Sequence, residues 1–243
     1  MKDDSRINEW YVPKFGPMKF RLFIGLLFLP YTGMCVSFVI MGALLSPITN
    51  VERLFVICII YFMSLGIAAH IADNIGSKKI KPWQEVLSKK QSWILLISSL
   101  TISYILGFYY IIYYTPLLLI IAVLEGFFLF AYNFEMVQGF FHNDFWFSIS
   151  WGILPFMAGF IIQTNSITIS SLLLSLIPFF LSYIEIRLSR PYKKYKRDKT
   201  NINKSKFYER CLKILSLGTI FITLTLFLIK VFITFICTCN MDF

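Results

Sequence analysis

The sequence predicts an all-α fold, a polytopic membrane helix bundle of about seven transmembrane helices. Composition is the first reason. Of 243 residues, 57% are apolar and only 15% charged, far from the balance of a soluble domain. Second, the apolar residues fall in blocks of about 20, the length of helix that crosses a hydrocarbon core of roughly 30 Å. Third, the basic residues alternate with these blocks. Five Lys or Arg precede the first block, five lie between Lys78 and Lys90, and eleven between Arg187 and Lys213. Seven spans with a cytoplasmic N-terminus place 21 of the 23 on the inner side, the pattern that orients multi-pass proteins in the cell membrane. Only Arg53 and Lys230 fall elsewhere, and Lys230 is expected to snorkel outward from the last span. The net charge of +10 therefore points to anionic membrane lipids as partners and not to nucleic acid.

The elements follow in order. The first 17 residues are polar and mixed in charge, so a removable signal peptide is not expected. The first span covers about 20–45, with Pro30 expected to kink it. A turn at 46–50 leads to the second, 51–74. The basic loop IGSKKIKPWQEVLSKKQ follows, with Trp83 and Trp93 as expected interfacial anchors. The third span is 92–113, and Tyr114-Thr115-Pro116 turns into the fourth, 115–134. Pro116 suits the first turn of a helix, where its missing N–H costs no bond. The loop 135–143 precedes the fifth span, 144–163, and Thr164-Asn165-Ser166 turns into the sixth, 167–187. The chain thus divides into a six-helix core over 1–190, a basic cytoplasmic linker over 191–211, and a seventh span with a short external tail over 212–243. Cys35, Cys58, Cys211, Cys237 and Cys239 form no zinc-type or disulfide framework; three lie in or beside apolar spans and read as small hydrophobes, and Cys237 and Cys239 near the end are a weak redox or metal signal.

Polar residues that carry chemistry are concentrated in two stretches, GIAAHIADNIGSK and YNFEMVQGFFHNDFWFSISWGILP, which hold both histidines. In a helical span end, His70 and Asp73 stand at i and i+3 with Asn74 beside them, a spacing that lets two side chains converge on one ion. Glu135 and His142 share a face if the helix continues past Phe134. Asp73 and Glu135 lie near helix C-termini, where the backbone is already partly negative, and the 134–143 loop has no Lys or Arg. His70, Asp73, Glu135, His142 and Asp144 are therefore expected to form one electronegative pocket for a divalent metal ion (magnesium, zinc or iron) or a protonated histidine. Asp144, or Asn143, is equally an N-cap candidate for the fifth span. Glu125 lies in the middle of the fourth span, where an ionisable group normally faces a partner or a wet path. Glu185 and Arg187 read as a surface pair.

Three features together resemble the UbiA superfamily of intramembrane prenyltransferases. They are the polar motif closing the second span before Lys81-Pro82, the segment opening at Tyr132, and the Trp151-Gly152-Ile153-Leu154-Pro155 run with Gly159. The resemblance covers about 20–190, and AAHIADNIGS, AYNFE, FHNDFWFSISWGILP and RLSRP look closer still to a set of UbiA-related membrane proteins. It implies a UbiA-like core, an isoprenoid or other apolar substrate, and magnesium holding a diphosphate. Asp73 matches one aspartate of the first family motif; His70 stands at a second, Ala69 at its Asn, and Ser77 at a third acid. Catalytic roles then fall to Asp73 and His70, with Asn74, Tyr132, Asn133 and Glu125 against the substrate. No D-x-x-x-D occurs, and Glu135-Met136 replaces the basic residues that follow the family's Tyr. Two other classes remain open: a metal-dependent lipid hydrolase or oxidase using zinc or iron, and a non-enzymatic lipid-binding protein.

Overall fold

In the computed structural model, which describes residues 6–76, 87–198 and 201–239, the first span is two helices. α1 (Met18–Leu26) and α2 (Leu29–Leu44) meet at Phe28, whose φ of 45° is left-handed. Pro30 lies in the first turn of α2, which spares it a clash; the break sits just ahead of the expected kink. The second span is α3 (Val51–Tyr61), a π-helical stretch (Phe62–Ala69) and α4 (His70–Gly76). Asn50 opens it by accepting the Arg53 backbone N–H. The third, α5 (Lys89–Tyr113), begins with a reciprocal Ser88–Gln91 capping box, which satisfies two otherwise orphaned N–H groups.

α6 (Leu118–Asn133) has 16 residues, roughly 24 Å of helix at 1.5 Å per residue, and is shorter than the other spans. The fifth span comprises α7 (Asp144–Ser148), a second π-helical stretch (Ile149–Ile153) and α8 (Leu154–Thr164). α9 (Ile169–Leu174), α10 (Leu176–Asp198) and α11 (Ile202–Cys239) complete an all-helical bundle. Among the described residues, six helical spans are long and apolar enough to cross a membrane, so this is a multi-pass membrane protein. The expected 191–211 linker is mostly helix, because α10 runs to Asp198 and α11 starts at Ile202. An ion pair links these extensions: Lys196 of α10 stands 4.0 Å from Glu209 of α11, and Lys213, one turn along α11, reaches the same carboxylate at 2.7 Å. Ser77, Lys81-Pro82 and Trp83, and the side chains of Cys237 and Cys239, lie outside the described residues.

The core lies where α2 crosses α8. A Cβ on Gly42 would stand 1.9 Å from the Phe156 carbonyl oxygen, and one on Gly159 would stand 1.9 Å from that of Val39. The two backbones touch through reciprocal glycines, the close approach that small residues permit between membrane helices. Phe38, Val39, Ile161 and Ile162 around this crossing are fully buried. α11 packs outside it and turns Phe221, Leu228 and Phe232 outward, as a lipid-facing helix should.

Candidate functional site

The two polar stretches meet where α4 and α6 end. Gly76 makes this contact: a Cβ there would fall 2.2 Å from the Asn133 carbonyl oxygen, so only glycine lets the helix ends touch. Beside the contact opens a cavity of about 410 Å³, within the range of ligand-binding cavities. His70 and Asp73 line it from α4, Tyr132 and Asn133 from α6, and His142 from the following loop. Its aromatic wall comes from Phe28, Tyr31, Phe147 and Trp151. The cavity lies at the basic end of the bundle, where Arg187, Arg190 and Lys196 gather.

Both imidazoles are held by stacking. His70 lies on Phe28 with ring centroids 4.7 Å apart and beside Trp151 at 5.3 Å; His142 lies on Tyr132 at 4.4 Å. Hydrogen-bonding contacts orient both rings. The Thr32 hydroxyl donates to the Leu27 carbonyl at 2.7 Å and stands 3.4 Å from His70 Nε2. His142 Nδ1 donates to the Tyr132 carbonyl at 2.9 Å. Both π-helical stretches abut this region, the first ending directly before His70 and the second containing Trp151; such bulges concentrate at functional sites.

The cavity is not the purely electronegative pocket that the two stretches alone imply. α10 contributes Glu185, Arg190 and Lys193 to its lining. Glu185 is only 6% exposed, and it faces the cavity in place of pairing with Arg187 at the surface. The side chains of 185, 189 and 193 recur every fourth residue, one helical face, so the signal was present in the sequence. It was hidden because basic residues after a sixth span read equally well as inner-side bias.

The remaining expected site residues are placed elsewhere. Asp144 does not line the cavity; it receives Arg190 at 2.6 Å and Arg187 at 3.8 Å. Asn143 is the N-cap, accepting the N–H groups of Phe145 and Trp146. Glu135 does not share a helical face with His142, because α6 stops at Asn133 and Glu135 turns left-handed at φ 49°. Asn74 is not part of the cavity lining, and its Oδ1 is buried with no hydrogen-bond partner among the described residues. Glu125 lies deep between other helices, accepting from Tyr61 at 3.0 Å and Ser150 at 3.2 Å.

Among the described residues, no three His, Cys, Asp or Glu side chains converge to hold a metal ion. Magnesium takes oxygen ligands in near-octahedral geometry, whereas Asp73 and Glu185 share this hollow with two cations. Two carboxylates beside two cations are a poor donor set for magnesium held by protein groups alone. Comparison with protein-family models, curated proteins and solved structures finds no match for this chain.

Proposed function

We propose that this is a UbiA-like protein of the cell membrane, N-terminus cytoplasmic, that binds a lipid with a phosphate-type head group and transfers its prenyl or related group. One observation carries the reading: Arg190 and Lys193 share a hollow with His70, Asp73 and His142, and its other wall is aromatic. The guanidinium fork and the ammonium suit phosphate oxygens, and the aromatic wall suits an isoprenoid or other apolar tail. In the proposed step, a nucleophilic atom of the acceptor bonds to the allylic carbon of the lipid. The carbon–oxygen bond to the diphosphate breaks with its electron pair, and the diphosphate leaves onto Arg190 and Lys193. The acceptor's proton passes to the His70 imidazole, and the Asp73 carboxylate one turn on favours the imidazolium so formed.

A second reading is lipid binding without chemistry, in which the stacked imidazoles of His70 and His142 serve as part of the aromatic wall. One experiment separates the two. Purified protein in lipid nanodiscs is given a radiolabelled isoprenyl diphosphate and a membrane lipid extract, with and without magnesium. Transfer predicts label in a lipid product, lost in the His70→Ala/Asp73→Asn double variant while diphosphate binding persists. Binding with no product under either condition supports the second reading. Failure of the labelled lipid to bind at all sinks both.

A further inference from the structure

A second cleft, of about 60 Å³, opens between the second, third and fourth spans, with Glu125 as its ionisable lining residue. An ionisable side chain at this depth is expensive and normally serves a function. The helices are shaped around it. Tyr61 ends α3 immediately before the first π-helical stretch and donates to Glu125 Oε1 at 3.0 Å. Ser150, inside the second π-helical stretch, donates to Oε2 at 3.2 Å. Two separate helix distortions thus converge on one carboxyl group.

That carboxyl retains capacity. Even as a neutral acid it keeps about three lone-pair sites beside its O–H, and the hydrogen bonds from Tyr61 and Ser150 occupy one on each oxygen. The other hydroxyls of the cleft have their protons committed: Ser64 donates to Ile60 O at 2.7 Å, Ser103 to Ser99 O at 2.9 Å, and Tyr104 to Ala122 O at 3.2 Å. At Gly107, itself buried, a Cβ would meet nothing within 4 Å, so the space of the cleft extends to that position. At roughly 10–15 Å³ per water-sized group, the cleft admits a small polar head and the first carbons of a chain.

We propose that this cleft binds an apolar molecule ending in a single hydroxyl group, which donates to the Glu125 carboxyl while its hydrocarbon part lies along Gly107. A neutral hydroxyl enters the hydrocarbon layer at far lower cost than an ammonium or a phosphate. That makes an alcohol, and not a charged amphiphile, the matching ligand. The site is independent of the basic-end cavity and of the reaction proposed for it.

The test uses the full chain in nanodiscs and a medium-chain alkanol carrying a photoreactive diazirine, with cross-links located by mass spectrometry. Labelling is expected on the cleft-lining segments of α3, α5 and α6, competed by unlabelled alkanol roughly fivefold to tenfold better than by the matching alkane, the worth of about one hydrogen bond. Glu125→Leu should erase that difference. Gly107→Leu fills the space at that position without touching the carboxyl group and should block labelling in a protein that still elutes as a single folded species. Labelling scattered over lipid-facing residues, or equal competition by alkane and alkanol, overturns the proposal. Stronger competition by the matching alkylamine than by the alkanol overturns the ligand class.

Discussion

Asp144 holds the guanidinium of Arg190 at 2.6 Å and so fixes one cation at the wall of the basic-end cavity. Asp144 is 14% exposed against 52% for Arg190, so the carboxylate is anchored in protein while the guanidinium bridges towards the hollow. Because Asn143 supplies the cap, the Asp144 side chain is left to Arg190 and Arg187.

The first prediction follows from this division of labour. Asp144→Asn keeps the Arg190 charge but removes its anchor, so affinity for an isoprenyl diphosphate should fall roughly threefold to tenfold, as for coupled neighbours. In an Arg190→Ala background the same change should add almost nothing. Titration of the four proteins of this cycle checks it. Independent, additive losses would mean that Asp144 does not act through Arg190.

The helix crossing gives the second. Gly42→Ala or Gly159→Ala puts a methyl group 1.9 Å from a backbone oxygen that belongs to the partner helix. Overpacking of this kind costs about 1–3 kcal/mol. Gly107→Ala meets nothing within 4 Å and should stabilise by about 0.5–1 kcal/mol, because alanine favours the helix. Thermal unfolding in detergent, with all three variants side by side, should lower the midpoint for the first two and leave or raise it for the third.

How far the sequence carries this protein differs by feature. The bounds of the first five spans were legible because apolar runs of helix length have few other solutions, whereas the last two helices run on into the expected 191–211 linker, where polarity hides the helix. The meeting of the His70 and Tyr132 stretches was legible too, since both end at the same side of the bundle. Its cause, the Gly76 contact with Asn133, depends on a helix approach that no local pattern encodes. Arg190 and Lys193 were invisible as cavity residues for a different reason: charge at a span end serves topology whether or not it also faces a site. Glu135 went astray because the left-handed turn at 49° breaks a periodicity that a helical reading extends.

Lys230 supplies the third prediction. It was expected to snorkel outward, and its ammonium reaches the carbonyl oxygens of Ser46 at 2.9 Å and Pro47 at 3.2 Å, with Leu44 at 3.5 Å. These carbonyls belong to the end of α2 and the turn beyond it, where helix C-termini carry partial negative charge. α11 is thereby tied to the first span at the end opposite the cavity. Lys230→Met keeps the apolar stem and removes the donor, and should cost about 1.5–3 kcal/mol, the worth of hydrogen bonds to a charged group. A cysteine placed at exposed Ile48 should also react faster with a water-soluble maleimide in this variant. Unchanged unfolding and unchanged reactivity would remove Lys230 from the list of structural anchors.

The fourth concerns the segment ahead of α1. Glu9 accepts from the Tyr192 hydroxyl and from Lys196 at 3.0 Å, and Lys213 stands 5.3 Å over the Trp10 ring. Next to this anchor, Tyr11 stacks on Phe28 at 5.1 Å and meets Tyr31 edge-on at 5.8 Å. Phe28 and Tyr31 line the basic-end cavity, so the anchor on α10 keeps an aromatic cover over its rim. Glu9 is 8% exposed and Lys196 27%, so salt screens this pair weakly. Glu9→Gln removes the charge yet keeps an acceptor for Tyr192, and should raise the local opening of the segment by about fivefold to thirtyfold, equivalent to 1–2 kcal/mol. Trypsin cleavage after exposed Lys14 reads that opening directly. Lys196→Ala should accelerate it in the same way, and Lys194→Ala, at an exposed position on the same helix, should not. If all three cleave at the wild-type rate, the segment is held by aromatic stacking alone and the ion pair is incidental to it.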